Sequence, residues 1–268
     1  MSEEGELGLV KTGTLADRIA NRIVRHFPGP RINVETARPI VSFTFDDAPE
    51  TAFSRGAARL ESVGARGTYY IAGGVLERKR ADGPFLSAEA CGELAERGHE
   101  LACHTFSHRK LAQYGRRALA EDLERSAAFL TECDGRTGAR NFAVPYIMSW
   151  PPAQGELRRR FLTSRGGMPG INRGTVDPFN LVAHELRDGG PEAGALAPVL
   201  DDLCASPGWL IFFTHDVAAS EFGCTEDRLA ALIDAVLARG CTIATVDGAI
   251  DLLGLRARLG RDHEARPA

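Results

Sequence analysis

The sequence lacks most of the features that assign a function at a glance. No apolar run approaches the ~20 residues that span a bilayer, so no membrane span is expected. Positive charge is not in excess either. With 32 Lys plus Arg against 36 Asp plus Glu, the net charge is −4, whereas a chain built to grip nucleic acid usually carries a basic surplus. No nucleic-acid partner is expected. The six cysteines (Cys91, Cys103, Cys133, Cys204, Cys224 and Cys241) are scattered, and none stands in a Cys-x-x-Cys pair. The first residues, Met-Ser-Glu-Glu-Gly-Glu-Leu-Gly, lack the basic start and apolar core of a secretory signal. A cytoplasmic location is therefore expected, with reduced, mostly buried thiols rather than a disulfide framework. Gly166 to Gly174 is glycine-rich, but no Gly-Lys-Ser/Thr follows, so a phosphate loop is unsupported.

What is present is a regular alternation. A chain of 268 residues buries about 70–75% of the surface its unfolded form exposes, enough for one core without a metal or disulfide staple. Residues 14–27 place Leu15, Ile19, Ile23 and Phe27 four apart, one stripe of a helix. Arg18, Arg22 and Arg25 form its solvated basic face, and Pro28-Gly29-Pro30 ends it. Residues 1–37 are thus an extension whose helix packs on its own domain or on a neighbour's, which leaves a homo-oligomer open.

From residue 40, strands are expected at 40–45, 67–71, 100–104, 141–145, near 164–168 and 179–186, and at 209–214 and 242–246. Helices are expected at 52–64, 87–97, 115–132, 152–162, 192–204, 226–239 and 248–255. Repeated β-then-α units build a parallel sheet or barrel covered by helices. Seven or eight units favour a barrel, in one domain over residues 38–255, with 256–268 left as a charged tail. Active sites of parallel barrels lie at the carboxyl ends of the strands. The residues just after each strand therefore come first.

Three strand ends carry the chemistry. Thr44-Phe45-Asp46-Asp47 puts two adjacent carboxylates after an apolar run, costly unless they are solvated, paired or bound to a metal. His104-Thr105-Phe106-Ser107-His108 follows the strand Leu101-Ala102-Cys103, and histidines at i and i+4 suit one metal ion. Thr214-His215-Asp216 follows a third apolar run. Two histidines and one carboxylate bind Zn²⁺ and leave a position for water, whose pKa the metal lowers to about 7. A second carboxylate is then available as general base and the third histidine as general acid.

These residues resemble the polysaccharide deacetylase superfamily (carbohydrate esterase family 4), over roughly residues 38–255. Thr44 to Asp47 is similar to that family's first motif, which implies Asp46 as base and Asp47 as metal ligand. Gly98 to His108 is similar to the second, which implies His104 and His108 as the other ligands and His99 as structural. Leu210 to Asp216 is similar to the last, which implies His215 as the acid that protonates the leaving nitrogen. The resemblance further implies an α/β fold, a distorted (β/α)7 TIM-like barrel, here with an amino-terminal helical extension. It implies the backbone N–H of Tyr146 as oxyanion donor, with Pro145, Tyr146 and Phe213 against the substrate.

Two motifs depart from the family. Ala143, in Phe142-Ala143-Val144-Pro145-Tyr146, stands where the family has an Arg that pairs with the catalytic Asp. A cation there would fix the orientation of Asp46, and Arg140 and Arg173 are the candidates to replace it. Asp177, before Pro178-Phe179, is the nearest match to the family's Asp that orients the catalytic histidine. The reading that follows is hydrolysis of a carbon–nitrogen bond by a Zn²⁺ enzyme, with Co²⁺ or Ni²⁺ also fitting such a triad. The expected reaction is N-deacetylation of an amino sugar or oligosaccharide. The alternatives are hydrolysis of a non-sugar amide or ureide on the same fold, and a catalytically silent barrel that binds glycan or metal.

Overall fold

The computed structural model describes residues 14–26, 29–76, 83–138, 140–189 and 196–264. Its centre is a parallel sheet. The strands are β2 (Ile40–Asp46), β3 (Thr68–Ile71), β4 (Glu100–Cys103), β5 (Arg140–Ala143), β6 (Phe161–Arg165), β8 (His184–Glu185) and β9 (Trp209–Thr214). They run in the order β6-β5-β4-β3-β2-β9-β8. The short β10 (Thr242–Ile243) pairs with Ile40 and Val41 of β2, while β3 takes Thr44 to Asp46.

The two ends of this sheet are brought together by one stretch of chain. The Leu181 N–H donates to the Ser164 carbonyl, and Ser164 and Gly166 N–H donate to the carbonyls of Pro178 and Leu181. Three residues later β8 pairs with β9. Residues 178–185 thus span from β6 to β9 and close a distorted seven-stranded barrel, as the sequence reading expected.

The strands form where they do because their residues are buried on both faces. Along β2 every side chain is buried. Val41, Phe43 and Phe45 pack outward with Leu210 and Phe212 of β9 against the helices. Those helices include α2 (Ala58–Ser62), α3 (Ala88–Glu96), α4 (Arg116–Asp134), α6 (Leu196–Ala205) and α7 (Glu226–Ala238). Ser42, Thr44 and Asp46 alternate onto the opposite, inner face. Tyr70, Ala102 and Ala143 from three successive strands form a separate buried cluster.

At the amino-terminal mouth, α8 (Val246–Leu252) is tied to the barrel by a buried carboxylate. Glu100 accepts from Thr68, Asn141 and the Asp247 N–H. Burial first and Asp247 second raise its pKa, against the pull of those bonds. The cysteines are free thiols, four of them buried.

Several boundaries move relative to the sequence reading. The helix expected at 152–162 ends earlier, as α5 (Gln154–Arg160), and Phe161 and Leu162 belong to β6. β6 is buried along its length, so these aromatic and aliphatic residues are worth more in the sheet than on a helix. Residues 32–34 and 174–176 pair as an unexpected two-stranded antiparallel sheet, β1 (Ile32–Val34) with β7 (Gly174–Val176). The charged tail contains a helix, α9 (Arg256–Glu264), anchored by the buried Leu259.

The amino-terminal helix, α1 (Leu15–His26), is present, but its apolar stripe is not the face it buries. Leu15, Ile19 and Ile23 are 73%, 50% and 37% exposed, whereas Ala20 and Val24 are buried. Asn21 decides this orientation. Its amide donates to the Ile147 carbonyl and accepts from the Ser149 N–H, and the small Ala20 beside it permits close approach. Phe27 and the Arg25 side chain lie outside the described residues.

Asn172 fastens the barrel closure. Its side chain donates to the carbonyls of Val182 and Trp209 and accepts from the Val182 N–H, while its backbone exchanges hydrogen bonds with Trp209. Replacing a buried amide leaves those groups unsatisfied, at about 1–3 kcal/mol for each stranded group. Asn172→Ala is therefore expected to lower unfolding free energy by about 2–4 kcal/mol in urea titration. A loss below about 0.5 kcal/mol would show that the closure does not depend on it.

Candidate active site

The carboxyl ends of β2, β4, β5, β6 and β9 converge on one rim, and the backbone there is contorted. Asp47, Ala48, Thr105, His108, Tyr146 and Ile147 have φ between 48° and 65°. They are all the non-glycine residues with positive φ among the described residues. Such conformations cost energy and persist where the surroundings enforce them. Here they lie in three of the loops that carry the candidate residues.

Each loop has its own fastening. Asp122, on α4, accepts from the N–H groups of Phe106 (2.8 Å) and Ser107 (3.2 Å) and from the Ser107 hydroxyl. His108 N–H donates to Thr105 Oγ1. Gly74 meets Phe106 so closely that a Cβ would lie 2.8 Å from both its ring and its carbonyl oxygen. The Tyr146 loop is held by Asn21, and the Tyr146 hydroxyl donates to the His108 carbonyl (3.2 Å). The His215 loop is held by Asp216, which accepts from Thr51 and Ser220.

Asp47, His104 and His108 place three ligand atoms within 4.8 Å of one another, all buried. His104 Nδ1 lies 2.9 Å from the Ala143 carbonyl oxygen, which can only accept. Nδ1 therefore carries the hydrogen, and in the neutral ring Nε2 turns its lone pair inward. This is the outer hydrogen bond that orients metal-binding histidines. Nε2 faces Asp47 Oδ1 at 3.4 Å, and His108 Nε2 lies 2.9 Å from the same oxygen. Yet that buried oxygen accepts no hydrogen bond of good geometry. Lone pairs that converge without donors between them fit a divalent cation, and the donor set, two imidazoles and a carboxylate, suits zinc or a similar transition metal.

The electrostatics agree. Burial alone would raise the pKa of Asp47, but His108, His104 and His215 outweigh it and hold the carboxyl well below the usual range. Burial alone would depress His104, yet Asp47, Asp46 and the Ala143 carbonyl reverse that and raise it. A proton or a cation answers the same need here, so the two compete.

Asp46, the last residue of β2, takes a different partner. Its Oδ1 accepts from Arg165 Nη2 in a buried ion pair. Arg165 ends β6, and its guanidinium carbon lies 4.9 Å from the Tyr70 ring centroid and 4.7 Å from that of Phe213. Sequence reasoning missed this residue. Arg140 instead pairs with Asp134 at 2.7 Å, and Arg173 with Asp202 at 2.7 Å, so neither reaches Asp46. The signal was an arginine at the carboxyl end of the strand beside Ala143, hidden by a helix drawn two residues too long.

His215 comes to the same place, with Nε2 at 3.9 Å from Asp47 Oδ2 and its ring against Phe222. Its Nδ1 is buried without a hydrogen bond. Asp177 does not orient it. That carboxylate accepts from the Phe179 N–H in its own turn and lies 3.9 Å from Arg158, with burial first raising its pKa. Pro145 is buried, and the Tyr146 ring packs on His108 with centroids 4.7 Å apart. Phe213 forms a wall for Arg165, a contact the sequence reading had not given it. His99 is structural, as expected: it bonds Glu61 and accepts from the Gly67 N–H.

Residues 33–149 match the family model for polysaccharide deacetylase. Over that stretch the chain is similar to the polysaccharide deacetylase family. No curated protein sequence matches it. Among solved structures, a family 4 acetyl xylan esterase from Clostridium thermocellum in complex with a cobalt ion superposes with a TM-score of 0.58. It is 20% identical, over 81% of this chain and 92% of that one. A peptidoglycan deacetylase from Bacillus subtilis gives 0.55, at 13% identity over 87% of this chain and 100% of its own. A family 4 carbohydrate esterase from Bacillus anthracis gives 0.53, at 13% identity over 90% and 94%. At these identities the likeness establishes the shared barrel.

Two outcomes are expected from metal analysis of dialysed protein. Asp47→Ala and His104→Ala each lose tight metal binding, with affinity for Zn²⁺ or Co²⁺ falling by at least about 100-fold. In the unaltered chain, metal is released on acidification. Because the His104 pKa is raised, protons compete for the site and apparent metal affinity falls as pH drops. Retention of stoichiometric metal by both variants would contradict the triad.

Proposed function

We propose that this chain is a metal-dependent hydrolase of linear carbon–nitrogen bonds, and specifically an N-deacetylase of an amino sugar or oligosaccharide. The observation that carries this reading is the separation of two neighbouring carboxylates. Asp47 turns to two histidines, while Asp46 is held beside them by Arg165. One carboxylate is a ligand and the other is kept for a proton.

A divalent cation at Asp47, His104 and His108, Zn²⁺ or alternatively Co²⁺ or Ni²⁺, would supply Lewis acidity toward the carbonyl and make water acidic enough to attack at neutral pH. The protein's own groups do the rest. Asp46 has one oxygen fixed by Arg165, and its other oxygen makes no hydrogen bond among the described residues. That second oxygen takes the proton of the attacking water. The Tyr146 N–H, on a loop bent into positive φ, donates to the carbonyl oxygen as charge builds there. His215, on the opposite strand end, gives a proton to the departing nitrogen, so that the amine leaves neutral.

The substrate panel that tests this comprises tetra-N-acetylchitotetraose, N-acetylglucosamine, an O-acetylated xylo-oligosaccharide and a linear ureide, with metal-stripped and metal-restored protein. Acetate release from an N-acetylated sugar only after metal is restored supports the reading. Turnover confined to the ureide or the ester reassigns the substrate, and no turnover with metal bound leaves a silent barrel. Asp46→Asn is expected to keep its metal while hydrolysis falls by at least about 100-fold; full activity in that variant would remove Asp46 from the mechanism.

A further inference from the structure

We propose that Arg165 is the positioning residue for Asp46, and that Ala143, Arg165 and Phe213 form one exchangeable unit in which the guanidinium arrives from β6 instead of β5. This rests on the reading of Asp46 as the base. Ala143 and Arg165 are register partners on adjacent parallel strands, so their side chains leave the same face of the sheet. An arginine at either position starts from neighbouring points and can aim at the same carboxylate.

The sizes around this path favour β6. Tyr70, Ala102 and Ala143 pack as one small buried group, and the two alanines leave room for a long side chain to cross the barrel interior from β6 to β2. Arg165 uses that room. Nη2 donates to Asp46 Oδ1 and Nη1 to the Gly166 carbonyl at 2.9 Å. Its plane is held between the rings of Tyr70 and Phe213. A flat guanidinium suits that slot, and a compact ammonium would neither stack nor reach in the same way. Phe213 belongs to the unit as its second wall, which makes the aromatic residue there the companion of Arg165.

Only one guanidinium fits. A second at 143 would bury two like charges against a single carboxylate, and removing the only one leaves a buried carboxylate uncompensated. The two single changes should therefore each harm the protein, and together they should repair it.

The test compares Arg165→Ala, Arg165→Lys, Ala143→Arg, the double variant Ala143→Arg/Arg165→Ala, and Phe213→Leu in both backgrounds. Three quantities are read: kcat and KM on tetra-N-acetylchitotetraose with metal restored, metal stoichiometry, and Tm. Arg165→Ala is expected to lower kcat by about 100-fold or more with KM within about threefold and metal retained, and to lower Tm by about 10 °C. Arg165→Lys keeps the charge, and its kcat still falls by at least about tenfold. Ala143→Arg alone lowers both kcat and Tm. The double variant regains at least about tenfold in kcat over Arg165→Ala, and most of its Tm. Phe213→Leu lowers kcat more in the original background than in the double variant.

The proposal is overturned if Arg165→Ala keeps its kcat, or if the double variant is no better than Arg165→Ala in both kcat and Tm. If Phe213→Leu acts equally in both backgrounds, Phe213 is not part of the unit. Should the unaltered protein release no acetate, the deacetylase reading fails instead, and recovery of Tm by the double variant still decides the pairing.

Discussion

Two carboxylates stand side by side at the end of a strand that is buried along its whole length, and most of the rim is arranged around that burden. A lone buried carboxylate costs several kcal/mol even after the protein relaxes, and two adjacent ones repel each other as well. The chain separates them by a change of backbone. Asp46 keeps the strand conformation, and Asp47 turns to a φ of 65°, so the two side chains find different counter-charges. Asp46 meets an arginine that crosses the barrel from β6, and Asp47 meets two imidazoles whose lone pairs call for a cation. On the proposed function, division of charge becomes division of labour: a ligand beside a base.

The loops make that division durable. Left-handed backbone at His108 and Tyr146 persists because Asp122, Thr105 and Asn21 hold neighbouring peptide groups. Asn21 brings α1 into the account. The helix reaches the Tyr146 loop through the polar side chain of Asn21, so a segment outside the barrel supports a loop inside the site.

Much of this was readable beforehand, for physical reasons. Strands buried on both faces are continuous apolar runs, so β2 and β9 stood out, and the polar residues after them had to be exceptional. Asp46, Asp47, His104, His108 and His215 were found in that way. Local spacing could not find Arg165, because its meaning lies in a register with Ala143 and a contact 119 residues away in sequence. Asp177 failed for the opposite reason. An acidic residue before Pro178-Phe179 looks the same whether it orients a histidine or caps its own turn, and only its contacts with Phe179 and Arg158 decide. The α1 stripe misled because periodicity shows that a face is apolar and not which face is covered.

The central claim is that one buried carboxylate binds the cation while its neighbour is kept from it by Arg165. Anomalous diffraction at the cobalt absorption edge, from crystals grown with Co²⁺, tests this most directly. The account predicts a single strong peak bounded by Asp47, His104 and His108, with Asp46 still paired to Arg165 and not coordinated. A peak ligated by Asp46, with Arg165 displaced, would contradict it, as would no peak at the triad in protein that hydrolyses its substrate.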